Sequence, residues 1–468
     1  MFDKLTKIVA TIGPATETEE TLVKLIDAGM NVARFNTKHS SPQWHQERIE
    51  RVKKVAKEKN ASVGVLLDLQ GPEIRINLPE EKPFDLTEGE ICTFTFDEKN
   101  QAVKKVLIPQ NVVETLQVGN MVLLDDGACE LEVVEKEDSY LILKALSACT
   151  VKHRKTLNVP GITIDMPALV ETDYLQLDGA KDSQLIDFVG LSFVRNSEDI
   201  EFLRQELNKR NIKAQIVAKI ETQAALDNLD EIVAASDVVM IARGDLGVEV
   251  PYEELTFWQK KIIKLCHDQA KPVITATQML KSMTDNPRPT RAEVSDVAHA
   301  IYDGTDAVML SEETTIGRYP VKAVRTQATI AEFNEKYAND DLEIFMTDDE
   351  EVAITNAAVE LAETSGLQID KLICFTTTGH SARLLGRLHP SMPILAVAYD
   401  PVVYYNLSLV YGVIPVLMKK ELLADFAKVI EELKKLKLLT EGEKVVVAHG
   451  LPYQPGGVDI LSIVTVKK

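Results

Sequence analysis

Eight short apolar runs recur along the first two thirds of the chain. Each run is rich in Val, Ile, Ala and Leu and is nearly continuous rather than alternating, which is typical of parallel strands buried on both faces. The predicted strands are Lys7–Ile12, Asn31–Phe35, Val63–Leu69, Asp187–Val194, Gln215–Ile220, Asp237–Ala242, Pro272–Ala276 and Ala307–Leu310.

Amphipathic stretches separate most of these runs and predict helices. Leu22, Leu25 and Ile26 have helical spacing within Glu17–Ala28, and Gly29 supplies a C-cap signal. Similar patterns predict helices over Ser197–Lys209, Thr222–Ala235 and Glu254–Gln269. Eight strands with intervening helices predict an α/β fold, a (β/α)8 TIM barrel, with an open doubly wound sheet as the alternative.

The pattern changes between the third and fourth runs. Short alternating strands predict a small β-barrel domain inserted at the C-terminal rim of the main barrel. These strands are Ile91–Phe96, Met121–Leu124, Cys129–Val134 and Tyr140–Lys144.

A second α/β unit follows the acidic linker Asn339–Glu351. It begins with a predicted helix, Val352–Ser365, and its predicted strands are Lys371–Thr376, Ile394–Ala398, Val413–Leu417, Lys444–Ala448 and Asp459–Val466. The expected domains are residues 1–70 and 166–338 for the barrel, 71–165 for the inserted domain and 339–468 for the C-terminal α/β domain.

Composition narrows the class of protein. The 468 residues include 72 acidic and 52 basic side chains, giving a net charge of −20, and no basic block points to a nucleic-acid partner. No apolar stretch reaches the ~18 residues of a membrane span, and the N-terminus lacks a signal-peptide pattern. The five scattered cysteines predict reduced thiols rather than a disulfide framework. We therefore expect a cytoplasmic protein without a membrane partner.

Polar side chains follow nearly every predicted barrel strand, at the rim where barrel active sites lie. They are Thr11, Arg34, Asn36, Asp68, Ser192, Lys219, Glu221, Arg243, Asp245, Thr277, Gln278, Ser311 and Glu313. The set combines cations, carboxylates and hydroxyls without clustered His or Cys.

This inventory favours phosphoryl transfer. Glu221 and Asp245 follow consecutive strands, and their hard oxygen atoms suit Mg²⁺ or Mn²⁺. Lys219 and Arg34 could then neutralise an anion that bridges to the metal. Glycosidase chemistry also uses paired carboxylates but has no need of these cations. A Schiff base on Lys219 is disfavoured because a neighbouring carboxylate would keep the amine protonated. A P-loop motif is absent from the sequence.

Long segments at these positions resemble the pyruvate kinase family. They run in order along the chain: TKIVATIGPA (6–15), GMNVARFN (29–36), LDLQGPEIR (67–75), VAKIE (217–221), ARGDLGVEVP (242–251), KPVITATQMLKSM (271–283), PRPTRAE (287–293) and LSEETTIGRYP (310–320). The resemblance implies transfer of the phosphoryl group of phosphoenolpyruvate to ADP, giving pyruvate and ATP in the final step of glycolysis.

The resemblance also implies roles for individual residues. Lys219 and Arg34 would contact the transferring phosphoryl group, and Glu221 and Asp245 would bind Mg²⁺ or Mn²⁺. Ser192, Arg243, Gly244, Asp245 and Thr277 would bind substrate. Thr277 would lie near the enolate carbon, and Ser311 and Glu313 would belong to a proton relay. The nucleotide side would be lined by Asn36, His39, Arg75 and Lys155.

The sequence departs from the family where a monovalent cation is usual. Asn36, Asp68 and Leu69 would surround that cation, but Lys38 replaces the common Ser whose hydroxyl is a K⁺ ligand. Glu73 keeps the acidic residue typical of K⁺-dependent members. We hypothesise that the Lys38 ammonium replaces K⁺; the alternative is that Lys38 points to solvent.

The C-terminal domain leaves regulation open. Residues Thr376–Ser381 resemble the family's loop for a sugar-phosphate effector, but His380 stands where Lys or Arg is common. Gly450–Asp459 lacks any Arg or Lys to hold a second phosphate. We expect a homotetramer, as is usual in the family. The alternatives to an active enzyme are a related binding module and a metal-dependent lyase acting on the pyruvate enolate.

Overall fold

The computed structural model describes residues 4–338, 347–450 and 458–467. Eight parallel strands form a closed barrel in which the first strand pairs with the eighth, Lys7 lying opposite Ala307. The strands are Lys7–Thr11, Val32–Asn36, Gly64–Asp68, Phe188–Leu191, Gln215–Ile220, Val238–Ala242, Val273–Ala276 and Ala307–Leu310. The closed barrel confirms the predicted fold and excludes the open sheet.

The long helices pack around the barrel, and the short helices Arg243–Glu249 and Glu312–Thr315 begin at strand ends on its C-terminal rim. The helices are Glu19–Asp27, Pro42–Glu58, Glu171–Gly179, Ser197–Lys209, Gln223–Asp227, Leu229–Ala235, Arg243–Glu249, Leu255–Asp268, Arg291–Tyr302, Glu312–Thr315 and Pro320–Asn334. Side-chain caps fix several starts: Ser41 accepts a hydrogen bond from the Trp44 N–H, directly before Pro42 at the first helical position.

The prediction of one continuous helix over Thr222–Ala235 is wrong. Thr222–Ala235 is broken at Asn228, which separates Gln223–Asp227 from Leu229–Ala235. The Asn228 side chain donates to the carbonyl oxygens of Arg195 and Ala224. A side-chain amide that competes for backbone acceptors interrupts the helix without any Gly or Pro.

A β-rich segment is inserted between the third and fourth barrel strands. Its strands form a six-stranded and a two-stranded sheet around a shared apolar core. These strands are Phe84–Leu86, Ile91–Thr95, Lys105–Leu107, Met121–Leu124, Cys129–Lys136, Tyr140–Ala145, Cys149–Val151 and Leu157–Asn158, with one helix at Gln110–Thr115.

The expectation of reduced thiols is wrong for one pair of cysteines. Cys129 and Cys149 form a disulfide with a Cα–Cα distance of 5.3 Å. The two residues begin strands of different sheets, so the packing of those sheets brings them together. Cys92, Cys266 and Cys374 are free and buried.

The C-terminal unit is a five-stranded sheet with helices. Its strands are Lys371–Phe375, Ile394–Ala398, Val413–Leu417, Lys444–His449 and Ile460–Thr465, and the last is antiparallel. Its helices are Glu350–Thr364, His380–Gly386, Pro401–Asn406 and Phe426–Lys435. Most of the predicted linker 339–351, and residues 451–457 of the second predicted effector segment, lie outside the described residues.

The C-terminal unit packs against the N-terminal end of the barrel. Leu409 is fully buried among residues of the barrel interior, including Val9 and Leu66. The Lys7 ammonium donates to the Val413 carbonyl oxygen at 2.7 Å. The opposite, C-terminal rim of the barrel therefore faces the inserted segment.

Candidate active site

Three charged side chains and a serine from the ends of three strands meet at the C-terminal rim. The Lys219 ammonium lies 2.8 Å from Glu221 Oε1 and 3.4 Å from Asp68 Oδ1. It also donates to Ser192 Oγ at 2.6 Å. Lys219 is 7% exposed and the two carboxylates 1% each, so solvent barely screens these contacts.

The carboxylates keep Lys219 charged. Burial lowers the pKa of Lys219, but Asp68, Glu221 and Asp245 outweigh that effect and raise the pKa above its ordinary value. A protonated amine cannot attack a carbonyl, so the site disfavours Schiff-base chemistry. It instead holds a fixed cation facing the rim.

Glu221 combines burial with a fixed orientation. Its Oε2 accepts the Phe193 N–H at 2.7 Å. Burial raises the pKa of Glu221 to about 7, although the Lys219 charge opposes the rise. Asp245 also contributes to that rise, which places its charge near Glu221 at the start of helix Arg243–Glu249. Two neighbouring carboxylates that repel one another form a donor set that fits a hard divalent cation.

Arg34 and Asp68 form a second buried pair beside Lys219. Arg34 Nε donates to Asp68 Oδ2 at 2.7 Å, and Nη1 donates to Thr11 Oγ1 at 2.9 Å. Burial raises the pKa of Asp68, but Lys219 and Arg34 lower it further, so the net shift is downward. A Cβ on Gly190 would lie 2.7 Å from Asp68 Oδ1, so the fourth strand makes room for the carboxylate.

The sixth and seventh strands bring Gly244 and Thr277 together. The Gly244 N–H donates to Thr277 Oγ1 at 2.8 Å, and that hydroxyl donates to the Ala276 carbonyl oxygen at 2.6 Å. Thr277 and Gln278 have φ values of 69° and 57°, in the left-handed region. Such backbone strain in residues other than glycine concentrates at functional sites.

Ser311 and Glu313 lie at the end of the eighth strand. Glu313 Oε2 accepts the Ser311 N–H at 2.7 Å, and Oε1 accepts the Leu280 N–H at 3.1 Å. Burial raises the pKa of Glu313 in spite of these hydrogen bonds. The carboxylate thus ties the loop after the eighth strand to the loop after the seventh.

The Lys38 side chain forms an ion pair with a carboxylate and is 24% exposed. Its Nζ lies 3.0 Å from Glu73 Oε1, and its backbone N–H donates to Asn36 Oδ1 at 3.1 Å. Burial raises the pKa of Glu73, but Lys38 and Arg75 reverse the shift and lower it. Leu69 accepts the Ser192 hydroxyl through its carbonyl oxygen at 2.8 Å.

Comparison with known proteins identifies the family. The family model described as pyruvate kinase, barrel domain, matches residues 3–324, and that described as pyruvate kinase, alpha/beta domain, matches residues 352–464. The chain belongs to the pyruvate kinase family. It is therefore a phosphotransferase of the final step of glycolysis, in a family that generally uses a divalent metal.

Individual relatives agree over nearly the whole chain. A pyruvate kinase from Bacillus licheniformis is 39% identical over 98% of this chain and 80% of its own length. One from Sporosarcina psychrophila is 40% identical over 97% of this chain and 78% of its own. The crystal structure of a pyruvate kinase from Cryptosporidium parvum has a TM-score of 0.89 at 32% identity and covers 99% of this chain and 96% of that one.

The residues of this pyruvate kinase that are predicted to contact the nucleotide lie on separate segments of the chain. Arg75 Nη2 lies 2.7 Å from Glu73 Oε2, and its Nη1 donates to the Arg154 carbonyl oxygen at 2.7 Å. Lys155 pairs with Asp125 at 2.7 Å within the inserted segment, and His39 is exposed in the turn after the second strand. Arg75 and Lys155 therefore each pair with a carboxylate of the inserted segment, whereas His39 lies on the barrel.

The C-terminal loop already contains internal partners. The Gly379 N–H donates to Thr376 Oγ1 at 2.9 Å, and Ser381 Oγ donates to Glu351 Oε1 at 2.7 Å. Because the negative charge of Glu351 already lies at the loop Thr376–Ser381, binding of an anion there is disfavoured. Within the described ranges, no helix has the length and apolar character needed to cross a membrane.

Sequence reasoning missed two supporting residues on helix Arg291–Tyr302. Asp296 binds both Nη atoms of Arg243 at 2.7 Å. Glu293 accepts the Ser282 N–H at 2.6 Å and the Ser282 hydroxyl at 2.5 Å. The spacing of Thr290 and Glu293 is a capping-box pattern that could have indicated Glu293 from sequence, whereas no local signal distinguishes Asp296.

Proposed function

We propose that this pyruvate kinase uses Mg²⁺ and the fixed charge of Lys219 to transfer the phosphoryl group of phosphoenolpyruvate to ADP. The observation that carries the assignment of roles is the buried Lys219 ammonium between Asp68 and Glu221. Transfer breaks the bond from phosphorus to the enol oxygen and forms a bond to a β-phosphate oxygen of ADP. The enolate that remains takes up a proton at carbon and becomes pyruvate.

Glu221 and Asp245 are the residues that would hold the divalent cation. Mg²⁺ bound there would neutralise charge on the phosphoryl oxygens. Lys219 and Arg34 act from the neighbouring strands on the same group, because both cations are held by Asp68 and cannot drift away as charge moves. Ser192 orients the Lys219 ammonium toward this position.

Thr277 would lie beside the enolate carbon, with Gly244 and Arg243 holding the substrate carboxylate. The Gly244 N–H and the Ala276 carbonyl oxygen fix the Thr277 hydroxyl from opposite sides. Ser311 and Glu313 would pass the proton, since burial raises the pKa of Glu313 and so favours the form of the carboxyl that holds a proton. Asn36, His39, Arg75 and Lys155 would contact the nucleotide.

We further propose that Lys38 makes the enzyme independent of K⁺. The ammonium is 3.0 Å from Glu73, and its charge also contributes to the lowered pKa of Asp68. A covalently attached cation supplies one positive charge at this point without the entropy cost of capturing a free ion. The monovalent site of Asn36, Asp68 and Leu69 would then need no added ion.

Pyruvate formation in Na⁺ and K⁺ buffers tests this proposal. The wild-type enzyme with phosphoenolpyruvate, ADP and Mg²⁺ should turn over equally in both. Lys38→Ser should lose turnover in Na⁺ and recover it in K⁺, whereas Lys57→Ser, at an exposed position of helix Pro42–Glu58, should behave as wild type. Strong K⁺ activation of the wild type would refute the role of Lys38, and absence of turnover in both buffers would refute the activity.

The family relationship supports three further proposals, which concern the location, the assembly and the regulation of the enzyme. The enzyme would act in the cytoplasm, assemble as a homotetramer and respond to a sugar phosphate at Thr376–Ser381. The contact between Ser381 and Glu351 means that such an effector would have to displace a carboxylate. Analytical sedimentation tests the homotetramer. Measurement of the turnover rate at increasing concentrations of a sugar phosphate tests the effector site.

A further inference from the structure

Two histidines and an aspartate meet on the side of the barrel opposite the active site. Asp306 directly precedes the eighth strand, Ala307–Leu310, whereas Ser311 follows it. His267 is in the last turn of helix Leu255–Asp268, and His389 follows helix His380–Gly386 of the C-terminal unit. One ligand atom from each of the three lies within 4.8 Å of the others.

His389 belongs to this cluster and carries a buried ring nitrogen. Its ring stacks on Tyr411 with a centroid distance of 3.8 Å and lies 4.8 Å from the ring of His267. Among the described residues, His389 Nε2 has no hydrogen-bond partner. A buried polar atom without a partner is costly, and a bound cation would satisfy it.

His267 is held as metal-binding histidines commonly are. Its Nε2 lies 2.8 Å from the Gly304 carbonyl oxygen, and such a contact fixes the orientation of the ring. Gly304 has φ 88°, and a Cβ there would lie 2.7 Å from His267 Cε1. Glycine therefore allows the ring to lie against the backbone at this point.

Asp306 is oriented but retains acceptor capacity. Its Oδ1 accepts the Tyr411 N–H and its Oδ2 accepts the Val273 N–H, each at 3.0 Å. Each carboxylate oxygen has a further lone pair. The carboxylate can therefore coordinate a cation without giving up either hydrogen bond.

We propose that His267, Asp306 and His389 bind one divalent transition-metal ion of the zinc class between the barrel and the C-terminal unit. Two imidazoles and a carboxylate favour such an ion over Mg²⁺, which prefers oxygen ligands. Tetrahedral zinc with bonds of about 2.1 Å separates its ligand atoms by about 3.4 Å, so atoms that are up to 4.8 Å apart would approach by as much as about 1.4 Å. A water molecule would complete the coordination.

The ion would join two parts of the chain that already touch. His267 and Asp306 belong to the barrel, and His389 belongs to the C-terminal unit, as do Tyr411 and Val413 that bind Asp306 and Lys7. Because the folded chain brings the three ligands together, the ion should bind the folded form preferentially and stabilise it. None of these residues belongs to the catalytic machinery, so this inference is independent of the proposed function.

Zinc titration of the full chain tests the site. The chelator-treated protein is titrated with Zn²⁺ by calorimetry in excess Mg²⁺, which is added to compete with Zn²⁺ for sites made of oxygen ligands alone. Thermal unfolding is followed in parallel, and Co²⁺ is added to a second sample to record its visible absorption. We expect one Zn²⁺ per chain, a higher Tm with Zn²⁺ and absorption bands of tetrahedral Co²⁺.

Histidine variants decide which residues bind. His389→Gln and His267→Gln should each weaken Zn²⁺ binding by about tenfold or more and abolish the Tm shift. His299→Gln, which changes an exposed histidine outside the cluster, should bind as the wild type does. If one variant fails to fold, the other decides. Absence of Zn²⁺ binding by the wild type, or equal binding by the folded variants, would overturn the proposal.

Discussion

Arg243 and Asp296 form a two-pronged ion pair in which each Nη atom lies 2.7 Å from a carboxylate oxygen. The same guanidinium donates to the Thr277 carbonyl oxygen at 2.8 Å. The pair thus connects the loops after the sixth and seventh strands to helix Arg291–Tyr302. Asp296 already neutralises the charge of the Arg243 guanidinium. The Arg243 side chain therefore acts by positioning the backbone around Gly244.

Asp296→Asn should loosen this connection. We expect a loss of about 1–2 kcal/mol in the free energy of unfolding, because Asp296 is partly exposed and solvent screens the pair. The KM for phosphoenolpyruvate should rise more than kcat falls, as the displaced backbone binds substrate less well. Steady-state kinetics and thermal unfolding measure both, with the exposed Asp230→Asn as control. Unchanged KM would show that Arg243 holds its loops without Asp296.

Lys219→Met should abolish most turnover while the fold survives. The variant removes a charge that faces the transferring group, and loss of such a contact typically lowers kcat by about 10²–10³-fold. Turnover and circular dichroism are compared with those of the exposed Lys209→Met. Retained turnover would contradict the role assigned to Lys219. The variant also leaves Glu221 and Asp68 buried without their shared cation, so a modest fall in Tm is expected.

Glu293→Gln should destabilise the chain in a pH-dependent way. Burial raises the pKa of Glu293, but hydrogen bonds from Ser282 and Thr290 lower it below 4.5 overall. A depressed folded-state pKa contributes stability above pH 4.5, and this contribution is lost as pH falls through the folded-state value. We expect the variant to be about 1–3 kcal/mol less stable at pH 7 and nearly equal to wild type in acid. Urea unfolding across this range measures the difference, and a pH-independent difference would contradict it.

Reduction should weaken the inserted segment. The disulfide joins Cys129 and Cys149, which are 20 residues apart in the chain. Loop-closure entropy for this separation corresponds to about 3 kcal/mol. Dithiothreitol and Cys129→Ser should therefore lower the unfolding temperature equally, with Cys374→Ser as the thiol control. Peptide mapping under non-reducing conditions identifies the bond. Absence of a Cys129–Cys149 disulfide would contradict this prediction.

The barrel could be predicted because its strands are continuous apolar runs. Gln215–Ile220 and Ala307–Leu310 have the predicted bounds, and the polar residues at the strand ends indicate Lys219 and Glu221 from the sequence alone. Chain order alone places such residues at one rim, because parallel strands all end there.

Features that depend on tertiary contacts could not be predicted in this way. Asn228 breaks its helix by reaching the Arg195 carbonyl oxygen, a residue distant in sequence. Asp296 meets Arg243 across 53 positions. Likewise, Cys129 and Cys149 approach through the packing of two sheets. Hydrophobic periodicity carries no information about such pairings.

The carboxylate of Glu73 binds one cation of the barrel and one cation of the inserted segment. Lys38 holds one of its oxygens from the barrel and Arg75 the other from the inserted side. A nucleotide phosphate that attracted Arg75 would leave Lys38 as the remaining partner of Glu73 and strengthen that contact. Binding of the nucleotide would then be transmitted electrostatically to Lys38 at the C-terminal rim of the barrel, and each substrate would change the affinity for the other.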